Sequence, residues 1–223
     1  MKFRLFIRKA LCSCLPLLFI IVVSVNVSAS QDDYIDTEEL ISVINTKNVD
    51  SVIEALNKVN KMRYQGEILP LIKDLWGGNK DKYPELSWET INKNIVKVKI
   101  AGVLLQAKRN KKIDVDTEEI RKYVTEYIVS DDVHLSINAM LALSIIDDER
   151  DVENIFSVAK QQKKVTFRTS ISTLSLMCNK AASDALDELE KIVKSNELKL
   201  IIIETRKGSS EFKKNTHWCD RSR

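Results

Sequence analysis

Along most of this chain, apolar residues recur among polar ones with the spacing of an α-helix. The pattern is clear at the i, i+3, i+4 and i+7 positions Val52, Ala55, Leu56 and Val59, which fall on one helical face. Two other stretches open with Asp36 and Asp116, each followed three residues later by Glu. This combination is typical of a helix N-terminus. The pattern therefore predicts an all-α fold of consecutive helices.

Glycine and a polar loop mark where the next helices end. A third helix is predicted over 67–76, and it ends at Gly77 and Gly78 because glycine is common just after a helix C-terminus. The polar segment 79–86 is predicted to be a loop. Ser87 is then expected to cap one long helix with a single apolar stripe.

The C-terminal half has the strongest helical periodicity, over residues 133–194. A last helix is predicted to open at Leu198 and to end at Gly208. Residues 209–223 show no apolar periodicity, so we expect them to form a loose C-terminal tail. The predicted helical domain therefore covers residues 30–208.

A weak internal repeat appears when the sequence is shifted by 31 residues. Large apolar residues then align with large ones, and small residues with small ones. The aligned pairs include Ala139 with Ser170, Met140 with Ile171, Leu143 with Leu174, and Ile155 with Leu186. Repeated helical hairpins of this kind stack into a solenoid, in which each unit buries its apolar face on its neighbours.

The segment 136–156 carries the repeat most clearly: a helix rich in Ala and Leu, an Asp-containing turn, and a second helix opened by Val and Ile. It resembles the HEAT-like repeats, a family of armadillo-type solenoids. The resemblance implies a right-handed α-solenoid of about four to five antiparallel helical hairpins. It also implies protein–protein binding along a curved surface, with no shared chemistry.

In HEAT-like stacks the second helix of each hairpin lines the concave side. The resemblance therefore implies partner contacts from two helices of this chain, through Glu153, Asn154, Phe156, Lys160, Asp187, Glu188 and Lys191. Phe156 is either an interface anchor, since aromatic residues dominate binding hot spots, or an extension of the core stripe beside Ile155 and Val158. The sequence leaves both roles open.

The first 29 residues form a separate unit. Four basic residues precede an apolar run over 10–27, and Val27-Ser28-Ala29 follows it. This layout is typical of a secretory signal peptide, so we expect a mature chain that starts near Ser30 or Gln31 and is periplasmic or secreted. The alternative is an uncleaved anchor, because about 18 apolar residues are just enough to span a bilayer. In that case the protein would contact the membrane only through this uncleaved leader.

Removing the leader changes the charge balance. The whole chain has 35 Lys+Arg and 32 Asp+Glu, a formal charge of +3. The leader holds four basic residues and no acidic ones, so the remainder has 31 against 32, or −1. The basic balance belongs to the leader and does not support nucleic-acid binding. Only five Gly and three Pro also argue against an all-β fold and against glycine-rich nucleotide-binding loops.

The sequence holds no recognisable catalytic or cofactor motif. It lacks the phosphate-binding, dinucleotide-binding, zinc-protease and serine-hydrolase signatures. His134 and His217 are the only histidines, and neither has partner ligands at zinc spacing. We therefore expect no metal, no cofactor and no enzymatic activity.

Cysteine usage gives one further expectation. Cys12 and Cys14 belong to the leader, which leaves Cys178 and Cys219 in the mature chain. An even pair in an exported protein is often oxidised. The alternative is two free thiols, one buried in the core and one on the tail.

Three functions remain open from the sequence. The first is an exported binding module, acting as an adaptor, inhibitor or immunity-type protein toward another protein. The second is a membrane-tethered structural subunit of an envelope complex, if the leader stays attached. The third is a hydrolase-like enzyme with an acidic site that no motif reveals. Missing motifs and scarce histidine disfavour the third.

Overall fold

The structure, a computed structural model, describes residues 34–62 and 65–222. Within these residues eleven α-helices follow one another, no residue is in a β-strand, and helices account for 74% of the positions. The helices are α1 (Thr37–Asn45), α2 (Val49–Lys61), α3 (Leu69–Gly77), α4 (Trp88–Ile91), α5 (Asn94–Arg109), α6 (Thr117–Thr125), α7 (Val133–Ile146), α8 (Val152–Lys160), α9 (Lys164–Leu176), α10 (Lys180–Ile192) and α11 (Asn196–Thr216). The all-α prediction is confirmed. The predicted leader lies outside the described residues.

Acidic caps fix the starts of several helices. The Asp36 carboxylate accepts the backbone N–H of Glu39 at 2.7 Å at the start of α1. Asp116 accepts the N–H groups of Glu118 and Glu119 at 2.9 and 3.2 Å at the start of α6. These bonds satisfy backbone donors that have no partner inside the helix. Both predicted helix starts are confirmed.

The prediction of one long helix after Ser87 is wrong. The chain forms the short helix α4, breaks at Asn92 and Lys93, and resumes as α5. Ile91 and Val96 are both fully buried, at 0% exposure. In an unbroken helix, positions five residues apart point about 140° from each other. The break therefore lets both side chains reach the core.

The helices pack in a regular order around one continuous apolar core. Helices α5, α7, α9 and α11 lie side by side in that order, each against the next. Helix α8 packs on α9 and α10, α6 packs on α7, and α2 and α3 both pack on α5. Helix α5 presents apolar side chains to each of its neighbours, and most of the residues of this helix are buried.

Residues about one predicted repeat apart meet across neighbouring helices. The Ser170 hydroxyl of α9 donates to the sulfur of Met140 on α7 at 3.4 Å. The Asp147 carboxylate, just after α7, accepts the backbone N–H of Cys178, just after α9, at 2.7 Å. Asp147 also ends α7 in the left-handed conformation, with φ of 61°. The ends of α7 and α9 are thus tied together by one side chain.

The predicted end of the last helix at Gly208 is wrong, and so is the loose tail. Helix α11 continues through Gly208 to Thr216, and a 3₁₀ turn follows at Trp218–Ser222. The half-buried positions of this extension are Ser209, Phe212, Lys213 and Thr216. They have helical spacing, but three of the four are polar. The sequence therefore shows no apolar stripe there.

Candidate functional site

The residues proposed to bind a partner lie on two neighbouring helices. Glu153, Asn154 and Lys160 are exposed on α8, and Asp187, Glu188 and Lys191 are exposed on α10. Because α8 and α10 pack on each other, these six residues belong to adjoining surfaces. We call them the α8–α10 face. Its charges are mixed, with three acidic and two basic residues.

Phe156 differs from the rest of this set. Its side chain is 5% exposed and belongs to the core, as do Ile155 and Val158. The Lys160 ammonium lies 4.3 Å from the ring centroid, and it also pairs with Glu153 at 3.5 Å. A cation over the ring is a favourable contact. The structure therefore uses Phe156 for packing, under a lysine, rather than as a projecting anchor.

Asp187 is also already engaged within the chain. Arg206 of α11 contacts the Asp187 carboxylate at 2.7 Å and that of Glu190 at 3.2 Å. This pairing joins α10 to α11 at the end of the stack. Asn154, Glu188 and Lys191 are therefore the members of the α8–α10 face that are best placed for a partner.

A charged cluster that the sequence analysis did not identify joins α6 to the α7–α8 connection. Arg121 holds the Asp151 carboxylate with two bonds, 3.0 Å from Nε and 2.8 Å from Nη2. Arg150 contacts Asp148 at 2.9 Å and Glu118 at 2.8 Å. Four of these five residues line an open groove of about 460 Å³. The fifth, Asp151, is buried.

Burial and pairing act in opposite directions on the carboxyl groups of this cluster. Hydrogen bonds from Arg150 lower the pKa of Asp148 to about 2. Hydrogen bonding to Arg150 also lowers the pKa of Glu118. Loss of solvent raises the pKa of Asp151, although Arg121 opposes that shift. The cluster is internally paired, which is typical of a structural ion-pair network rather than of a catalytic site.

A second groove lies beside an aromatic cluster between α3 and α6. Trp76 and Tyr123 make an edge-to-face contact with centroids 5.3 Å apart, and Tyr123 is 5.2 Å from Tyr127. Lys97 of α5 lies 5.4 Å from the Trp76 ring, and the Trp76 indole N–H donates to Glu119 at 3.2 Å. Partly exposed tyrosines of this kind are common in protein interfaces.

The C-terminal segment crosses the ends of three helices. Cys178, just after α9, is joined to Cys219 by a disulfide, with Cα atoms 5.6 Å apart. The Trp218 indole N–H donates to the carbonyl of Leu176 at 3.0 Å. One turn earlier, the Lys213 ammonium donates to the carbonyl of Met177 at 2.7 Å. The C-terminus is thus attached to the end of α9.

The same segment then reaches α5 through Arg109. The Arg109 guanidinium lies 3.6 Å from the centroid of the Trp218 ring and donates to the Trp218 carbonyl. It also donates to the carbonyl of Ile145, at the end of α7, at 2.9 Å. Arg109 and Trp218 are 7% and 8% exposed. A buried arginine and tryptophan therefore connect α5, α7 and the C-terminus.

Two possible site types find no support in residues 34–62 and 65–222. No group of three or more His, Cys, Asp or Glu side chains lies close enough to hold a metal ion in this part of the chain. No helix among the described residues is long and apolar enough to cross a membrane. Comparisons with protein-family models, curated proteins and solved structures found no match to this chain.

Proposed function

We propose that this chain is an exported, non-enzymatic module that binds another protein through its helical surface. The observation that carries the proposal is the α8–α10 face, on which polar side chains project from two helices packed against each other and against α9. Because the helices are packed on a common base, their backbones are fixed before a partner binds, which lowers the entropic cost of binding. Adaptor, inhibitor and immunity-type proteins all work by this kind of surface recognition.

A HEAT-like arrangement is part of the proposal. Two features support it: α5, α7, α9 and α11 follow one another in space, and Asp147 bonds to Cys178, 31 residues further along the chain. A stack of this kind presents its second helices, here α8 and α10, along one surface. The solenoid would therefore place Asn154, Glu188 and Lys191 in one row.

The proposal is tested with a paired surface variant. We expect the exported chain to capture a specific protein from the same compartment, and Asn154→Arg with Glu188→Arg to lose it. Both residues are exposed, so the fold should persist, as checked by circular dichroism. The matched control is Glu54→Arg, an exposed position on α2, which should retain the partner. Equal capture by all three proteins would contradict binding at the α8–α10 face.

Export is a separate part of the proposal and has its own test. We expect N-terminal sequencing of the exported protein to begin near Ser30 or Gln31, with the protein in the soluble fraction. The reason is the apolar run followed by small residues at the predicted cleavage point. An intact Met1 in membrane fractions would instead favour a membrane-tethered structural subunit.

A further inference from the structure

The C-terminal strap, which we define as residues 217–222, depends on a small set of contacts. One is the disulfide between Cys178 and Cys219. Others come from Trp218, whose indole N–H reaches Leu176 and whose ring lies under the guanidinium of Arg109 and 5.5 Å from the ring of Phe212 on α11. The strap begins at His217, which is in the left-handed conformation where α11 ends. It is therefore attached to the stack through two adjacent residues.

A segment of this length is costly to hold in one conformation. Ordering each residue reduces backbone entropy. Against that cost stand one buried tryptophan and a few hydrogen bonds. The disulfide removes much of the entropic cost, because it holds Cys219 beside Cys178 before any other strap contact forms. The strap therefore depends on the covalent bond.

The bond is also within reach of a reductant. Cys178 and Cys219 are both partly exposed, whereas Trp218, which contacts Arg109, is buried. Upstream of the strap, α11 has its own anchors on α9, including the bond from Lys213 to Met177. Loss of the disulfide would thus free the strap without detaching α11.

We propose that the C-terminal strap is a thiol-controlled latch. In the oxidised chain it lies across the ends of α9, α7 and α5. A dithiol reductant opens it: one thiolate attacks a cysteine sulfur and forms a mixed disulfide as the other cysteine leaves as a thiolate. The second thiol of the reductant then displaces the first cysteine. The reductant departs as a disulfide, and Cys178 and Cys219 gain two electrons and two protons.

Opening uncovers a defined surface. The Arg109 guanidinium loses the Trp218 ring and carbonyl but keeps its bond to Ile145. The carbonyl of Leu176 loses the indole N–H. The reduced chain is therefore expected to expose more of the Arg109 guanidinium at the end of α5 and of the Leu176 carbonyl at the end of α9, while the packing between the helices stays in place.

Fluorine NMR of the full-length chain labelled with 5-fluorotryptophan tests the latch. The chain has three tryptophans, and the Trp218→Phe variant identifies the resonance of Trp218. After reduction by dithiothreitol, we expect this resonance to move to its position in the urea-unfolded chain. The resonances of Trp76 and Trp88 should stay where they are. Intact mass after alkylation should show two additional modified thiols.

The Cys219→Ser variant provides the second arm, since it should give the open position of the Trp218 resonance without any reductant. A Trp218 resonance that does not move after complete reduction would overturn the proposal, because the strap would then be held without the bond. Movement of all three resonances, with loss of the helical circular dichroism signal, would also overturn it. In that case the disulfide would support the whole fold rather than the strap.

Discussion

At the residue scale, a substitution of Leu143 is a sensitive test of the packing between α7 and its neighbours. The Leu143 side chain is 0% exposed and belongs to the continuous apolar cluster. Leu143→Asp would place an unpaired charge there, at a cost on the order of 3–5 kcal/mol. This cost is a large part of the total stability of a typical domain. Urea unfolding followed by circular dichroism measures the loss.

Glu153→Ala is the matched surface control on α8. Glu153 pairs with Lys160 at 3.5 Å, but the two side chains are 76% and 42% exposed. Exposed pairs contribute little, so the free energy of unfolding should change by less than about 1 kcal/mol. If Leu143→Asp and Glu153→Ala had the same urea midpoint, the assignment of Leu143 to the core would be wrong.

The lowered pKa of Asp148 predicts acid sensitivity. Arg150 lowers the pKa of the Asp148 carboxyl from 3.8 to about 2 in the folded chain. The folded state therefore binds this proton less readily than the unfolded state. The resulting stability is fully present above about pH 4 and is lost as the pH falls toward about 2. Asp151 has the opposite sign, because burial raises its pKa.

The Asp148→Asn variant isolates this contribution. It removes the charge next to Arg150, so we expect a loss of at most about 2 kcal/mol at pH 7. The loss should shrink at pH 2, where the wild-type carboxyl is itself partly protonated. Urea unfolding of both proteins at pH 7 and pH 2 gives the comparison. A difference that is independent of pH would contradict the role of the ionised carboxylate.

At the element scale, one glycine inside a helix and one just after a helix should respond in opposite ways to substitution by alanine. A Cβ atom at Gly102, inside α5, would meet no atom within 4 Å, and the same holds at Gly78, which follows α3. Gly78, however, has a φ of 69°. Alanine suits the helical backbone at Gly102, so Gly102→Ala should stabilise by about 0.5–1 kcal/mol.

Gly78→Ala should destabilise the protein by about 1 kcal/mol, because an L-residue disfavours the left-handed conformation that ends α3. Thermal unfolding of both variants tests the pair. Since neither position is crowded, the difference in sign reports backbone conformation alone. Two changes of the same sign would mean that one of the two helix assignments is incorrect.

At the scale of the whole molecule, the disulfide closes a loop across the last helices. Cys178 and Cys219 are 41 residues apart, and closing a loop of this length stabilises by about 4 kcal/mol in the chain-entropy description. We therefore expect the reduced chain to unfold at a lower urea concentration than the oxidised chain. Cys178→Ser and Cys219→Ser should both match the reduced protein. Equal midpoints for the oxidised and reduced chains would contradict this expectation.

Helix positions followed largely from local signals in the sequence. Asp36 and Asp116 cap α1 and α6 where expected, because an N-cap bond needs only neighbouring residues. The break between α4 and α5 was missed, since it lets Ile91 and Val96 reach one core. The extension of α11 was missed as well, because three of its four half-buried side chains are polar. In both cases packing decided what the local pattern did not.

For the candidate sites, the contributions of sequence and of tertiary structure are more clearly separated. The sequence by itself determined an all-helical chain, the main helix starts and the exposure of Glu153, Asn154 and Glu188, because each depends on residues within a few turns. Only the tertiary structure decided that Phe156 lies in the core and that Arg121 holds Asp151. It alone also placed Arg109 on Trp218, which is 109 residues away. Such contacts depend on how the helices stack, and that order is set by the shape of the whole core.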